Sequence, residues 1–148
     1  MAGAKGSGLL RKTRIGACLA AGLLLSGGAA RAEIFASPPG FVDINQSQQF
    51  VCYLANIGPT SVTLSSVRIV NGPPGTSLAL TVNTCGSSLA AGKICVWATT
   101  VAATASAEAG RTHACRADVS AKQNLRGSLE IRRIDSGRFY LYQSLEMR

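Results

Sequence analysis

Cysteine is the residue type in this sequence with the widest choice of chemistry. The chain has five: Cys18, Cys52, Cys85, Cys95 and Cys115. A zinc site needs close C-x2-C pairs, or histidines beside them, and a redox centre needs a C-x-x-C motif. The spacings offer neither, even in the closest pair, "CGSSLAAGKIC". We therefore expect structural disulfides and no metal ligands.

The other residues suited to catalysis are too scattered to form a site. His113 is the only histidine, and a catalytic role would need a nucleophile and an orienting acid close to it. Asp118 is the carboxylate that follows it most closely, but strand alternation places Asp118 on the opposite face. Glu108 and Glu130 belong to different elements, so their spacing builds no two-carboxylate hydrolase site. The sequence predicts no catalytic or cofactor-binding residues, and a protein that is not an enzyme.

The first 32 residues have the order of a secretory signal peptide. Basic residues come first, then the apolar run "IGACLAAGLLL", then small residues up to Ala32. The run is shorter than the roughly 20 residues that span a bilayer, so a retained membrane anchor is the lesser alternative. We predict a signal peptide over residues 1–32, cut before Glu33, and an exported protein, periplasmic or secreted. Cys18 lies at the start of the apolar run and is expected to leave with the signal.

The remaining residues, 33–148, fit one domain of common size. Five of the 15 basic residues precede position 33 and all seven acidic residues follow it. Ten basic residues then face seven acidic ones, and the net charge falls from +8 to about +3. The high charge of the full chain is therefore largely a targeting feature. We expect an unknown protein or envelope component as partner, no nucleic acid, and no stable membrane insertion after cleavage.

Short runs rich in Val, Ile, Thr and Leu recur after the signal, between clusters of Gly, Pro, Asn and Ser. This pattern is typical of an all-β sandwich or barrel. The predicted strands are 41–44, 48–55, 61–70, 77–82, 93–101, 112–119, 125–134 and 138–143. The weakest part is 98–110, where alanines favour a short helix.

Four cysteines in an exported domain form a disulfide framework with three possible connectivities. Alternation places Cys52 on the apolar side of its strand, and Cys115 on the apolar side of another. The simplest plan therefore joins Cys52 to Cys115 across the core and closes the local loop from Cys85 to Cys95.

Three stretches form a recognisable succession: "FVCYLANIGPTSVTLSSVRIV", "CGSSLAAGKIC" and "THACRADVSAKQNLRGSLEIRRID". The succession resembles small exported bacterial proteins of unknown function. These have a C-x-x-x-N strand, a C-G-x-L-x-P-G-x-x-C disulfide loop, a strand with a core cysteine and an R-G/A-S-L strand. Here Cys52 with Asn56 and Cys115 with Arg126 match best, while Ala91 stands where the loop pattern has proline. The resemblance implies a single immunoglobulin-like β-sandwich of about seven or eight antiparallel strands, after an N-terminal signal helix, with both disulfides and no assigned activity.

Two features of the surface and one of the core remain. Four arginines crowd the C-terminal third: Arg126, Arg132, Arg133 and Arg138. Acidic residues interleave with them, which favours a solvated strand face over an anionic-surface site. Trp97, the only tryptophan, is expected in the core or on a sheet face rather than as a ligand platform. The apolar tail "RFYLYQSLEM" either forms the last strand or pairs with a partner by strand addition.

The sequence thus predicts a non-catalytic exported module that binds, or has a structural role, in the cell envelope or extracellular space. The alternative is a secreted inhibitor, or a loop-based binder of an enzyme such as a protease, that presents the loop from Cys85 to Cys95. Polyanion binding through the arginines is a third hypothesis, with a steep salt dependence as its mark.

Overall fold

The structure is a computed structural model that describes residues 32–43, 45–72, 75–103 and 111–148. It is all-β: these residues contain no helix and form two antiparallel sheets packed as a sandwich. Residues 1–31 of the predicted signal peptide lie outside the described residues, as do 104–110 in the alanine-rich stretch. Within that stretch Ala98 to Val101 form a strand, not a helix. No described helix is long and apolar enough to cross a membrane.

The described residues contain ten strands. In chain order they are β1 (Glu33–Ala36), β2 (Gly40–Phe41), β3 (Ser47–Asn56), β4 (Val62–Asn71), β5 (Val82–Asn83), β6 (Ser88–Leu89), β7 (Ile94–Val101), β8 (Thr112–Val119), β9 (Leu125–Asp135) and β10 (Arg138–Glu146). The first sheet has the order β1-β8-β4-β6, with β2 also on β8. The second sheet has the order β10-β9-β3-β7-β5. Three strands have only two residues each, so seven longer strands build the sandwich.

The central pairings match those of an immunoglobulin domain, but the outer strands exchange places. In that fold strands B and E pair in one sheet and strands C and F pair in the other. The pair of β3 with β7 corresponds to the first of these, and the pair of β4 with β8 to the second. The strand beside β3, however, is β9 rather than the first strand, while β1 lies beside β8. The sandwich is thus shown, with terminal strands that differ from the standard immunoglobulin order.

Alternation in the long strands explains the core between the sheets. In β8 every second residue is buried, from His113 to Val119, and β3 has the same pattern except that Val51 is buried as well. Trp97 is fully buried, as predicted, and its indole N–H donates to the carbonyl of Arg68 across the sandwich at 3.2 Å. The largest side chains of both sheets therefore meet in one layer.

Four elements differ from the predicted strands. The sequence pattern did not indicate β1, which has four residues shortly before two prolines and gains its register from β8. It did not indicate the two-residue β6 either, which lies in the loop from Cys85 to Cys95. Residues 77–82 form only an isolated bridge at Ser77 and the start of β5, since most of their backbone leaves the sheet. Near 41–44 the strand is the two-residue β2. The other predicted strands are confirmed, and β10 extends beyond its prediction to Glu146.

The end of the chain closes one side of the sandwich. Ala36 and Arg148 exchange two backbone hydrogen bonds, at 3.0 and 2.8 Å. Met147 donates from its backbone N–H to the carbonyl of Gly127 in β9. The chain thus passes from the edge of the second sheet to the edge of the first.

Candidate binding surface

All four cysteines of the domain are bonded. The structure joins Cys52 to Cys115, 63 residues apart, and Cys85 to Cys95, ten residues apart. This is the simplest plan drawn from the sequence. The long bridge links the two sheets through the core and the short one closes a surface loop. In the described residues no three side chains of the His, Cys, Asp and Glu types come together as metal ligands.

The candidate catalytic residues do not converge. His113 is fully buried and its ring stacks on Phe50, with centroids 4.7 Å apart. Asp118 lies on the opposite face of β8, as alternation predicted, and binds Arg68 there at 2.8 Å. Glu130 is paired with Arg132 at 2.7 Å on the other sheet, and Glu108 lies outside the described residues. His113 therefore packs as a core residue.

Asn56 organises one end of the sandwich, which we call the tied end: residues 56–61, 85–94 and 120–125. Its buried side-chain amide donates to the carbonyl of Leu89 at 2.9 Å and to that of Thr60 at 2.7 Å. Its Oδ1 accepts from the N–H of Gly58 at 3.0 Å. One side chain thus fastens the turn after β3 to the loop that the short disulfide closes.

The backbone adds to this fastening. The N–H of Asn56 donates to the carbonyl of Lys93, and the N–H of Gly92 donates to the carbonyl of Asn56. Gly92 has a φ of 69°, in the left-handed region that glycine adopts without strain. The N–H of Ile57 donates to the carbonyl of Asn124 and so joins the third loop. The loop from Cys85 to Cys95 is therefore held covalently and by hydrogen bonds.

An open groove lies on the outer face of the second sheet beside the tied end. Its volume is about 480 Å³. Four strands contribute its lining: Tyr53, Ala55, Ile94, Arg126, Gly127, Ser128, Glu130, Ser144 and Glu146. Groove size and mixed polarity fall within the range of binding sites in proteins.

Arg132 holds two polar side chains of the groove, those of Tyr53 and Glu130. Arg132 donates to Glu130 and to the hydroxyl of Tyr53. The hydrogen bond to Glu130 is the main cause that raises the pKa of Arg132, so the guanidinium keeps its charge. Arg126 donates to the carbonyl of its neighbour Leu125 at 2.7 Å. The hydrogen bond from Arg132 orients the Tyr53 hydroxyl.

Two large apolar side chains at the tied end are exposed, and one of them, Ile94, lines the groove. Ile94 is 66% exposed and Ile57 is 60% exposed. Ile94 lies opposite Ala55 in the register of β3 and β7. Ile57 lies two residues after Ala55 in the chain. Cys95, the next residue after Ile94, is buried and bonded to Cys85. The exposed side chain of Ile94 is thus carried by a backbone segment that the disulfide restrains.

The four C-terminal arginines do not form one basic face. Arg132 and Arg133 are adjacent in β9 and so point to opposite sides of the sheet. Arg132 binds Glu130, and Arg133 lies 3.8 Å from Asp135. The arrangement supports the interpretation as a solvated strand surface.

Sequence reasoning did not single out Tyr53, Ile57 or Ile94. A signal was present for Ile94, because the residue before an inward cysteine in a strand must face outward. The groove itself joins residues about 90 positions apart, which no local pattern indicates. Asn56 was singled out only through the family resemblance.

A scan against protein-family models, a search of curated proteins and a search of solved structures each found no match. The structure shows a β-rich fold and two disulfides, which are consistent with what the sequence resemblance implies.

Proposed function

We propose that the protein is an exported, non-catalytic binding module that recognises a protein partner through the groove and the apolar border of the tied end. The observation that carries the proposal is Ile94, 66% exposed beside a covalently anchored cysteine. An exposed apolar side chain that lines a groove of this size on a fixed scaffold supports a binding site there. The two disulfides support an oxidising compartment and hence export.

The energetics favour this surface over a mobile one. A partner that binds a flexible loop must offset the lost conformational entropy of that loop. Here the disulfide and Asn56 have already removed much of that freedom. Apolar contacts to Ile94 and Ile57 then supply affinity, while Arg126 and Glu146 at the rim select the partner's charge.

The test is capture from periplasmic and culture-medium fractions with immobilised wild-type protein and with Ile94→Asp. We expect a defined partner that binds the wild type and is lost with Ile94→Asp. The matched control is Val82→Asp, an exposed apolar residue of the same sheet that does not line the groove. Equal capture by the wild type and Ile94→Asp would contradict the proposed site.

Export is tested separately by the intact mass of the product outside the cytoplasm. We propose cleavage between Ala32 and Glu33, which removes the signal peptide of residues 1–32 and leaves the domain of residues 33–148. A membrane-bound product that retains those first residues would contradict it.

Inhibition of an enzyme is the second candidate function. It is favoured by the loop tip from Ala90 to Lys93, which is exposed and closed by a hydrogen bond from the N–H of Lys93 to the carbonyl of Ala90. A rigid exposed loop of this kind suits insertion into a protease cleft. Sub-micromolar inhibition in a protease panel, lost with Lys93→Glu, would establish this function instead.

A further inference from the structure

We propose that β10 pairs edge to edge with β10 of a second copy of this chain, forming a symmetric dimer through a continuous sheet. The proposal does not depend on the groove of the tied end. It rests on three properties of β10: an open edge, an exposed apolar surface and opposite charges at its two ends.

The first property is the open edge. β10 has nine residues and, among the described residues, pairs with β9 alone. A long outer strand has a row of backbone N–H and C=O groups available to another strand, and proteins usually cover or shorten such edges. The other outer strands fit this rule: β5 and β6 have two residues each, and Arg148 hydrogen-bonds to Ala36 of β1.

The second property is the surface of the strand. Phe139, Tyr140, Leu141 and Tyr142 are consecutive and between 50% and 68% exposed. Neighbours in a strand point to opposite faces, so both faces of the edge are apolar. A ligand on one face would leave the other uncovered, whereas an added strand contributes side chains to both. Tyr140, Leu141 and Tyr142 also line a depression of about 350 Å³ with Arg133 and Asp135.

The third property is charge. Arg138 begins β10 and Glu146 ends it, and within the described residues neither forms an ion pair. In an antiparallel pair of identical strands, the Arg138 end of one copy lies beside the Glu146 end of the other, twice. A parallel pair would place like charges together. Arg138 lies opposite Asp135 and Glu146 opposite Ser128 in β9, so these two side chains are on opposite faces of the sheet and form no direct ion pair across the interface. The charges of the strand ends thus favour the antiparallel direction over the parallel one.

The register between β9 and β10 indicates which residues of the two β10 strands lie beside each other. Tyr140 lies opposite Arg133, Gln143 opposite Ile131 and Leu145 opposite Leu129, so these three β10 residues share one face. Tyr140 and Gln143 are three residues apart and would lie on opposite faces of a regular strand. The register shift between Leu141 and Gln143 places them on the same face. A two-fold axis perpendicular to the sheet keeps the faces continuous. Tyr140 of one copy then lies beside Gln143 or Leu145 of the other.

The geometry also limits assembly to two copies. The hydrogen bonds between Ala36 and Arg148 close the edge beyond Glu146, so each copy has one long free edge in its described part. A two-fold interface uses the same surface on both copies and is complete once formed. We expect a dimer and no fibre.

The experiment is sedimentation equilibrium of the oxidised, exported protein over a range of concentrations. The wild type is expected to dimerise with a Kd on the order of 10 µM, as suits a small interface. Leu141→Lys should weaken the dimer at least about tenfold. Phe41→Lys, an equally exposed apolar residue in β2, should leave the Kd unchanged.

A wild type that stays monomeric, or a dimer that Leu141→Lys leaves intact, would overturn the proposal. So would a monomer whose edge binds lipid vesicles or an unrelated extended peptide.

Discussion

The two ends of β9 lie in contrasting parts of the molecule. At the tied end, Leu125 pairs with Asn56 beside a disulfide, and three loops are joined by hydrogen bonds. At the other end, which we call the hairpin end (residues 132–142), β9 turns into β10 through Ser136 and Gly137, both with positive φ. No disulfide of the described residues reaches it. Both ends expose apolar side chains. The hairpin end is held by the pairing of β9 with β10 alone, whereas the tied end also has a disulfide and the buried side chain of Asn56.

The difference indicates two kinds of interaction surface. A fixed backbone presents Ile94 and Ile57 in one geometry, which suits recognition of a specific partner. An open strand edge recognises any compatible strand through its backbone, and its side chains then select among candidates. Changes at the tied end should therefore lower stability, whereas changes at the hairpin end should alter association and leave folding almost unchanged.

The largest effect should come from removing the disulfides. In the chain-entropy treatment, the bridge between residues 63 apart contributes about 4 kcal/mol and the one between residues ten apart about 3 kcal/mol. We expect Cys52→Ala with Cys115→Ala to reduce the free energy of unfolding more than Cys85→Ala with Cys95→Ala. Denaturant titration of both double variants measures this. The opposite order would show that the surface loop, and not the core bridge, dominates stability.

The strand prediction succeeded where one face of a long run is buried. Alternation placed β3, β4, β7, β8 and β9 within one residue of their ends, because each buries one side along eight or more residues. It missed β1, whose four residues gain their register from a distant strand. It also predicted β10 as a strand. Both faces of β10 are exposed because it lies at the edge of the sheet, and the spacing of apolar residues in the sequence does not indicate an edge position.

The sequence was less informative about the candidate surface. Cys52 and Cys115 were placed in the core by phase alone, but the groove depends on which strands become neighbours. Tyr53 and Glu146 are more than 90 residues apart in the chain, and both line the groove because β9 lies between their strands. Such neighbours follow from the pairing order of the sheet, and the exchange of the terminal strands changes that order from the immunoglobulin pattern.

Asn56→Ala should produce the next largest effect and tests whether the tied end is one unit. The substitution removes the donor to Leu89 and Thr60 and the acceptor for Gly58 in a site that is almost fully buried. Backbone groups left without partners cost about 1–3 kcal/mol, so we expect a loss of about 2 kcal/mol. Hydrogen exchange should quicken in both connected loops together. Faster exchange in only one of them would show that Asn56 does not couple them.

A smaller effect is expected at Asp118, on the first sheet. Its carboxylate accepts from Ser66 at 2.6 Å and binds Arg68 at 2.8 Å and Arg116 at 3.2 Å. The hydrogen bond from Ser66 is the main cause that lowers the pKa of Asp118, and the arginines add to it against the opposing effect of burial. A lowered folded-state pKa contributes stability above the ordinary pKa of about 4, which is lost as the pH falls through the folded-state value.

The measurement is the free energy of unfolding as a function of pH for the wild type and Asp118→Asn. The variant should be less stable by about 1 kcal/mol near neutral pH, because the partly exposed arginines are screened by solvent. The difference should shrink as the pH falls below about 4. A gap that stays constant into acid would mean that the loss comes from packing and not from the charge of Asp118.

The smallest effect on stability should come from the hairpin end. Leu141 is 64% exposed, and exposed substitutions away from the core usually change stability by less than about 0.5 kcal/mol. We expect Leu141→Ser to stay within that limit when unfolding is followed at protein concentrations below the dimer Kd. At higher concentrations the wild type should gain stability with concentration while the variant does not, because only the folded state dimerises. A large loss at low concentration would show that the hairpin end supports the fold itself, and the contrast between the two ends would then no longer hold.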